Sequence, residues 1–267
     1  MTTTSKLLLP RLVLLASLLF GASVEANERH FTFAYESAVL PAGSRELELW
    51  STWRVKRDDY YSRFDLRAEF EVGLTDNLQT SLYLNAKHIL EPVAGSLVNE
   101  FAFDGVSSEW KYKLLDPVAD ALGLALYAEL TGAPDAFEIE AKVILDKRLG
   151  DVLLAANVVF EQEWEFDVAS VGSETVLEVD LAATYFFTDA FSCGLEVRNH
   201  NLFTGSNGFE SSSLFAGPVL AYSTKNFWVA LSVLPQLPAL KTTSTNSLLV
   251  LDEHEKVNAR LLFSFHL

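Results

Sequence analysis

The sequence predicts an all-β protein: a closed antiparallel transmembrane β-barrel of about twelve strands, with ten to fourteen compatible with the pattern. Three observations predict this fold. Apolar and polar residues alternate with a period of two along most of the chain. Short connections alternate with longer ones, and the chain opens with a segment typical of exported proteins.

The beginning of the chain resembles a secretory signal. A positively charged start is followed by an apolar run from Leu12 to Phe20, which is too short to cross a bilayer as a helix. Val24 and Ala26 are small residues at the −3 and −1 positions of a cleavage site. We therefore expect residues 1–26 to be a signal peptide.

The predicted mature chain has two parts. Residues 27–44 precede the first alternating run, and the sequence leaves two roles open for them. They form either a periplasmic lead-in or a short plug in the mouth of the barrel. Residues 45–267 contain every predicted strand and form the barrel itself.

Alternation is clearest at residues 62–72, where every second residue is charged and the residues between them are mostly apolar. Side chains of a strand point alternately to its two faces, so one face meets an apolar environment and the other meets water. The same pattern, together with two more uniformly apolar, proline-containing runs at 213–223 and 227–236, predicts twelve strands. In chain order they lie at 46–56, 62–72, 78–87, 106–114, 124–130, 137–146, 154–165, 177–185, 193–200, 213–223, 227–236 and 257–267. Their length suits tilted strands that cross a hydrocarbon layer.

The connections support the same fold. Short connections are predicted at 75–77, 116–121, 148–151, 188–190 and 224–226. Longer, irregular ones are predicted at 91–99, 167–174, 203–212 and 238–254. Outer-membrane barrels show this alternation, with the short turns on the periplasmic side. A soluble sandwich or a lipocalin-like barrel also alternates, but the strand length, the aromatics near strand ends and the export signal favour the membrane.

Composition excludes several functional classes. The formal net charge of −16 argues against nucleic acid as a partner, because phosphate binding needs a basic surface. The single cysteine, Cys193, allows neither an internal disulfide nor a cysteine-based zinc site. Glu161, Glu163 and Glu165 share one face, but their spacing of roughly 6–7 Å is wide for a single ion. No metal site and no cofactor are predicted.

The inward face of the barrel carries the candidate functional residues. One predicted wall is almost wholly acidic and consists of Glu138, Glu140, Glu161, Glu163, Glu165, Glu178 and Asp180. A second predicted wall is mixed and consists of Arg54, Arg63, Arg67, Glu69, Glu71, Lys87 and Lys111. Two interpretations follow. The walls set up a transverse field that orients dipolar or cationic solutes, or their charges pair and fill the lumen.

Short segments resemble a known group of proteins. Leu40 to Gly43 leads into a Glu-rich first strand, Gly73 to Asp76 closes the first hairpin, and residues 184–199 repeat the strand–Thr-Asp–strand pattern. These elements resemble outer-membrane transporter barrels similar to the family linked to the meta-pathway of phenol degradation. The resemblance implies a channel or transporter for small, hydrophobic molecules. The sequence departs from the usual barrel pattern at Leu267, where an aromatic residue is common.

The predicted function is an outer-membrane channel that passes small solutes through a polar, net-acidic lumen, with the lipid bilayer as its surroundings. One alternative is a plugged barrel with a structural or envelope-interaction role. The other is an outer-membrane hydrolase that uses His88 or His200. We predict no catalytic residues, because neither histidine lies in a recognisable nucleophile motif.

Overall fold

A computed structural model describes residues 28–166, 171–205, 208–244 and 247–267. The predicted signal peptide lies outside these ranges. Within them, no helix is long and apolar enough to cross a membrane.

Twelve strands make up the fold. They are β1 (Arg45–Val55), β2 (Ser62–Thr75), β3 (Leu78–Val93), β4 (Ser96–Leu115), β5 (Gly123–Gly132), β6 (Ala136–Leu149), β7 (Val152–Phe166), β8 (Val171–Thr188), β9 (Phe191–Thr204), β10 (Gly208–Ser223), β11 (Phe227–Lys241) and β12 (Val257–His266). Each strand pairs antiparallel with its neighbours in the chain, and β1 pairs with β12 to close the ring. The predicted twelve-stranded antiparallel barrel is confirmed.

The barrel is apolar outside and polar inside, the reverse of a soluble protein. On β3, Leu82 and Leu84 are more than 60% exposed on the outer face. Ser81 and Tyr83, between and beside them, are almost fully buried in the lumen. Since alternate residues of a strand point to opposite faces, the sequence pattern translates directly into this inversion.

The strands extend further than predicted at one end of the barrel. We call the end where β1 begins and β12 finishes the terminus end, and the opposite end the loop end. Irregular loops were expected at 91–99 and 203–212, but both regions are mostly strand. Ala94 and Gly95 have φ angles of 51° and 83°. Two successive positive φ angles make a tight hairpin turn, so the ladder continues where a loop was predicted.

The longest strand is paired unevenly. β3 pairs with β4 up to the turn between them, whereas β5 pairs only with the part of β4 from Val106 to Leu115. Among the residues that the structure describes, the loop-end part of β4 is therefore paired with a strand on one side alone.

Residues 28–44, which we call the N-terminal segment, lie inside the ring. Phe31, Phe33, Tyr35 and Leu40 are all buried, and the segment contacts inward-facing side chains of strands on several sides of the barrel. It occupies the terminus-end half of the lumen, because its partner residues lie near the terminus ends of β3, β6, β7 and β9.

Candidate functional site

The lumen contains a cavity of about 830 Å³ in its loop-end half. This volume is within the range of small-molecule sites. Phe33 and Tyr35 of the N-terminal segment are among the lining residues. The cavity is thus bounded by the barrel wall on its sides and by the N-terminal segment toward the terminus end.

The structure places the whole predicted acidic wall around this cavity. The seven residues are Glu138, Glu140, Glu161, Glu163, Glu165, Glu178 and Asp180, and every one is a lining residue. They lie on the adjacent strands β6, β7 and β8.

The acidic wall places like charges side by side. Glu138 is the register partner of Glu163, and Glu140 is the register partner of Glu161. Directly opposed like charges destabilise a sheet. Carboxylate oxygens of Glu138, Glu161 and Glu163 lie within 4.8 Å of one another. No described cation pairs with any of these three residues.

The mixed wall divides into two levels. Arg54, Arg63, Arg67 and Lys87 line the cavity. Glu69, Glu71 and Lys111 also point inward, but they are buried at the level of the N-terminal segment and do not line the cavity. The Lys111 Nζ lies 6.0 Å from the Tyr35 ring centroid.

The bases that line the cavity are mostly paired with acids on their own side. Arg54 Nε lies 2.6 Å from Asp65 Oδ2, and Lys87 Nζ lies 2.7 Å from Asp104 Oδ1. Arg67 Nη2 lies 2.5 Å from Glu129 Oε1. These pairs leave the excess negative charge of the cavity concentrated on the opposite, acidic wall.

Two arginines were absent from the predicted site. Arg198 on β9 and Arg260 on β12 both line the cavity, and their guanidinium carbons lie 4.2 Å and 3.8 Å from the centroid of Phe33. Strand alternation already indicated that both point inward. Their convergence on one ring required the position of the N-terminal segment, which has no periodic pattern.

The strongest anchor of the N-terminal segment is the carboxylate of Glu196 on β9. It accepts hydrogen bonds from the backbone N–H of Thr32, Phe33 and Ala34 at 2.9, 2.8 and 3.1 Å, and from the Thr32 hydroxyl at 2.8 Å. A carboxylate that accepts several N–H bonds forms charge-assisted, stronger bonds than a neutral acceptor.

Other strands hold the backbone that follows. The Asn157 amide on β7 accepts from the Tyr35 N–H at 2.6 Å and donates to the Tyr35 carbonyl at 3.0 Å. The Asp146 carboxylate on β6 accepts from the Ser37 N–H at 2.9 Å. An irregular segment can stay buried in this way because wall side chains satisfy its backbone groups.

The segment leaves the lumen beside β2. The Leu40 N–H donates to Gln79 Oε1 at 2.9 Å, and the Gly43 N–H donates to the Gly73 carbonyl at 2.8 Å. A Cβ atom on Gly73 would lie 2.1 Å from the Pro41 carbonyl oxygen. Glycine at position 73 therefore permits the close crossing of the segment over the wall.

An ion pair fixes the segment internally. His30 Nδ1 lies 3.2 Å from both carboxylate oxygens of Glu36. Burial by itself would lower the pKa of His30, but the adjacent Glu36 carboxylate outweighs it and raises that pKa. Burial likewise opposes ionisation of Glu36, and His30 outweighs it, so the pKa of Glu36 is lowered.

The histidines considered for hydrolysis lie apart. His88 Nε2 lies 2.7 Å from Asn99 Oδ1 at the loop end. The His200 ring meets the His254 ring edge-on at 4.6 Å and lines the cavity.

Two solved structures share this architecture. The NanC porin in a rhombohedral crystal form matches with a TM-score of 0.54 and 14% identity, covering 83% of this chain and 100% of that chain. The COG4313 outer membrane channel from Pseudomonas putida F1 matches with a TM-score of 0.60 and 10% identity, covering 89% and 100%. At such low identity the likeness shows the fold, an outer-membrane-type β-barrel, and nothing finer.

No curated protein matches this chain. A model of a family of unknown function, DUF6662, matches residues 23–267, which is nearly the whole chain. The chain is therefore a member of the DUF6662 family.

Proposed function

We propose that this protein is an outer-membrane channel for small solutes, with a polar, net-acidic lumen that the N-terminal segment closes from the periplasmic side. In this proposal residues 1–26 are the signal peptide, residues 27–44 include the gate, and residues 45–267 are the channel wall. The loop end faces the cell exterior.

The observation that carries the proposal is the make-up of the cavity. Its sides are barrel wall, whereas Phe33 and Tyr35 of a short irregular segment occupy it toward the terminus end. The barrel is wide enough to hold both a segment and a cavity, which places it between filled small barrels and open porins. Movement of one short segment would join the cavity to the periplasm.

A plugged barrel without transport is the second candidate. The four hydrogen bonds to Glu196 favour it, because they hold the segment firmly. The resemblance to the phenol meta-pathway family suggests a third route, in which apolar solutes pass through the barrel. The charged lining of the cavity favours polar solutes instead.

Single-channel conductance in a planar bilayer tests the proposal. The refolded chain from residue 27 should give rare or small current steps, because the segment closes the lumen. The double variant Glu196→Gln, Asn157→Ala removes two anchors and should give frequent, larger steps. A heat-modifiability gel establishes that each protein is folded before measurement.

The matched control is Glu100→Gln, which removes one exposed carboxylate at the loop end without touching the segment. If the folded double variant gives no current steps, the channel proposal is wrong and the structural role is favoured.

A further inference from the structure

We propose that the cavity binds zwitterionic solutes, with the cationic end at Glu161 and Glu163 and the anionic end at Arg260. This inference rests on the proposed function, because it names the class of solute that the channel takes. It follows from which charges of the cavity lack a partner and from where those charges lie around the ring.

Arg260 stands out among the cations of the cavity. Each of the others has a carboxylate partner, as in the pairs Arg67–Glu129 and Arg198–Glu178. Within the described ranges, no carboxylate lies within ion-pair distance of Arg260. Its positive charge therefore remains available to a ligand.

The Arg260 guanidinium is already held in place. Its Nε donates to Thr52 Oγ1 at 2.8 Å and its Nη1 donates to the Thr32 carbonyl at 3.2 Å, while its Cζ lies 3.8 Å from the centroid of the Phe33 ring. No described acceptor takes a hydrogen bond from Nη2. A fixed guanidinium with free N–H groups is well suited to a carboxylate or phosphate.

A second group beside Arg260 also lacks a partner. Asn258, two residues earlier on the same face of β12, lines the cavity and is only 3% exposed. Its Oδ1 is buried without a hydrogen-bond partner in the described parts of the chain. A buried acceptor of this kind is costly unless a donor satisfies it, so it suits a water or an O–H or N–H group of the solute, while the anionic group itself meets Arg260.

The unpaired acids lie across the lumen from Arg260. Five strands separate β12 from β6 on either side of the ring, so β6 stands directly opposite β12, with β7 beside it. Glu138, Glu161 and Glu163 lie on these two strands, and no cation of the described part of the chain forms an ion pair with them. One side of the cavity thus needs a cation and the other needs an anion.

The geometry sets the size of the solute. Twelve tilted strands about 4.8 Å apart give a barrel roughly 24 Å across, and the two side chains shorten the gap to roughly 10–14 Å. A solute with an ammonium group at one end and a carboxylate at the other spans such a gap if a flexible chain of several carbons joins them. A very short zwitterion such as glycine reaches only one wall.

Calorimetric titration of the folded protein in detergent tests the inference with four probes: ε-aminocaproate, hexylammonium, hexanoate and glycine. We expect ε-aminocaproate to bind about tenfold more tightly than each of the others, since each charged contact contributes a strong hydrogen bond. Equal binding of hexylammonium and ε-aminocaproate would mean that the acidic wall acts alone, and would overturn the inference.

Variants assign the two ends. Arg260→Gln should reduce the affinity for ε-aminocaproate to that for hexylammonium, and the pair Glu161→Gln, Glu163→Gln should reduce it to that for hexanoate. Arg260→Lys keeps the charge and should retain binding, which separates loss of charge from misfolding. Arg45→Gln and Glu100→Gln remove exposed charges outside the cavity and should leave binding unchanged.

The outcomes for binding and for transport are distinct. Conductance without a preference for ε-aminocaproate would overturn the inference and leave the channel intact. Binding of ε-aminocaproate without conductance in any variant would support the inference about the site and contradict the channel.

Discussion

Single side chains decide how firmly the N-terminal segment is seated, and Glu196 is the most important of them. Its carboxylate accepts four hydrogen bonds from three successive residues of the segment. Glu196→Gln removes the charge and one acceptor oxygen. Since hydrogen bonds to a charged group contribute about 1.5–3 kcal/mol each, we expect the segment to be released about tenfold to a hundredfold more often.

Limited proteolysis of the N-terminal segment measures that release. Cleavage should be faster in Glu196→Gln than in the parent protein and unchanged in Glu100→Gln. Equal cleavage rates in all three proteins would show that Glu196 does not hold the segment.

Acidity should modulate the segment through His30 and Glu36. The raised pKa of His30 means that its stabilising contribution is complete below about 6.5, its ordinary value, and is lost as the pH rises through the raised pKa. The lowered pKa of Glu36 means that its contribution is present above about 4.5 and is lost as the pH falls through the lowered pKa. The segment is therefore held best at a pH between the lowered pKa of Glu36 and the raised pKa of His30. The neighbouring charges that also act on this pair are Glu28, Arg148 and Lys111.

Conductance at mildly acidic and at alkaline pH checks this prediction. The parent protein should open more often at alkaline pH, and His30→Gln should lose most of that dependence. A full pH response in His30→Gln would assign the dependence to other groups.

At the residue level, the sequence predicted the direction of side chains better than their partners. Alternation placed Glu161 and Arg260 on the inward face, because a strand has only two faces. It could not indicate that Arg198 binds Glu178 whereas Arg260 has no carboxylate partner in the described ranges. Ion pairs form between residues that are close in space but distant in the chain.

At the level of secondary-structure elements, the crossing of the N-terminal segment over β2 can be tested by a substitution at Gly73. A methyl group on Gly73 would collide with the Pro41 backbone, which cannot rotate away. Gly73→Ala should therefore destabilise the seated segment by about 1–3 kcal/mol, as overpacking does, while the barrel stays closed.

The control is Gly172→Ala on β8, where an added Cβ would meet Glu165 only at 3.8 Å, an ordinary contact. Proteolysis of the segment should accelerate in Gly73→Ala and not in Gly172→Ala, with both proteins heat-modifiable on a gel. Loss of heat-modifiability in Gly73→Ala would show instead that the barrel needs the segment to fold.

Among the elements, the strands could be predicted from the sequence, whereas the path of the irregular N-terminal segment could not. Ten of the twelve strands follow from alternation and two from apolar runs, whereas the position of residues 28–44 follows from neither. Their contacts come from four strands of the barrel, through Gln79, Asp146, Asn157 and Glu196. The prediction of an irregular loop at 91–99 was wrong for a local reason. Ala94 adopts a positive φ angle, which is uncommon for alanine, so the tight turn at this position could not be predicted from the residue type.

The charge of the whole lumen should appear as ion selectivity. Within the described ranges, four acids of this wall on β6 and β7 have no ion-pair partner, so an open pore should prefer cations; they are Glu138, Glu161, Glu163 and Glu165. The triple variant Glu161→Gln, Glu163→Gln, Glu165→Gln, made in the opened Glu196→Gln, Asn157→Ala background, should lose most of that preference. Reversal potentials in a salt gradient measure it, and an unchanged potential would contradict the role of this wall.

Uneven pairing of β4 also limits how the molecule can sit in a bilayer. On the loop-end side of the Val106–Gly132 pair, no strand in the described part of the chain bonds the backbone groups of β4 that face β5, and hydrocarbon cannot solvate them. The loop-end boundary of the hydrocarbon layer must therefore lie at Val106 or on the terminus-end side of it. From there to Leu114 the outward residues are apolar except Ser108, a stretch of the length a tilted strand needs to cross the layer. The depth of immersion is thus set by where a hydrogen-bonded ladder stops as much as by where apolar side chains begin.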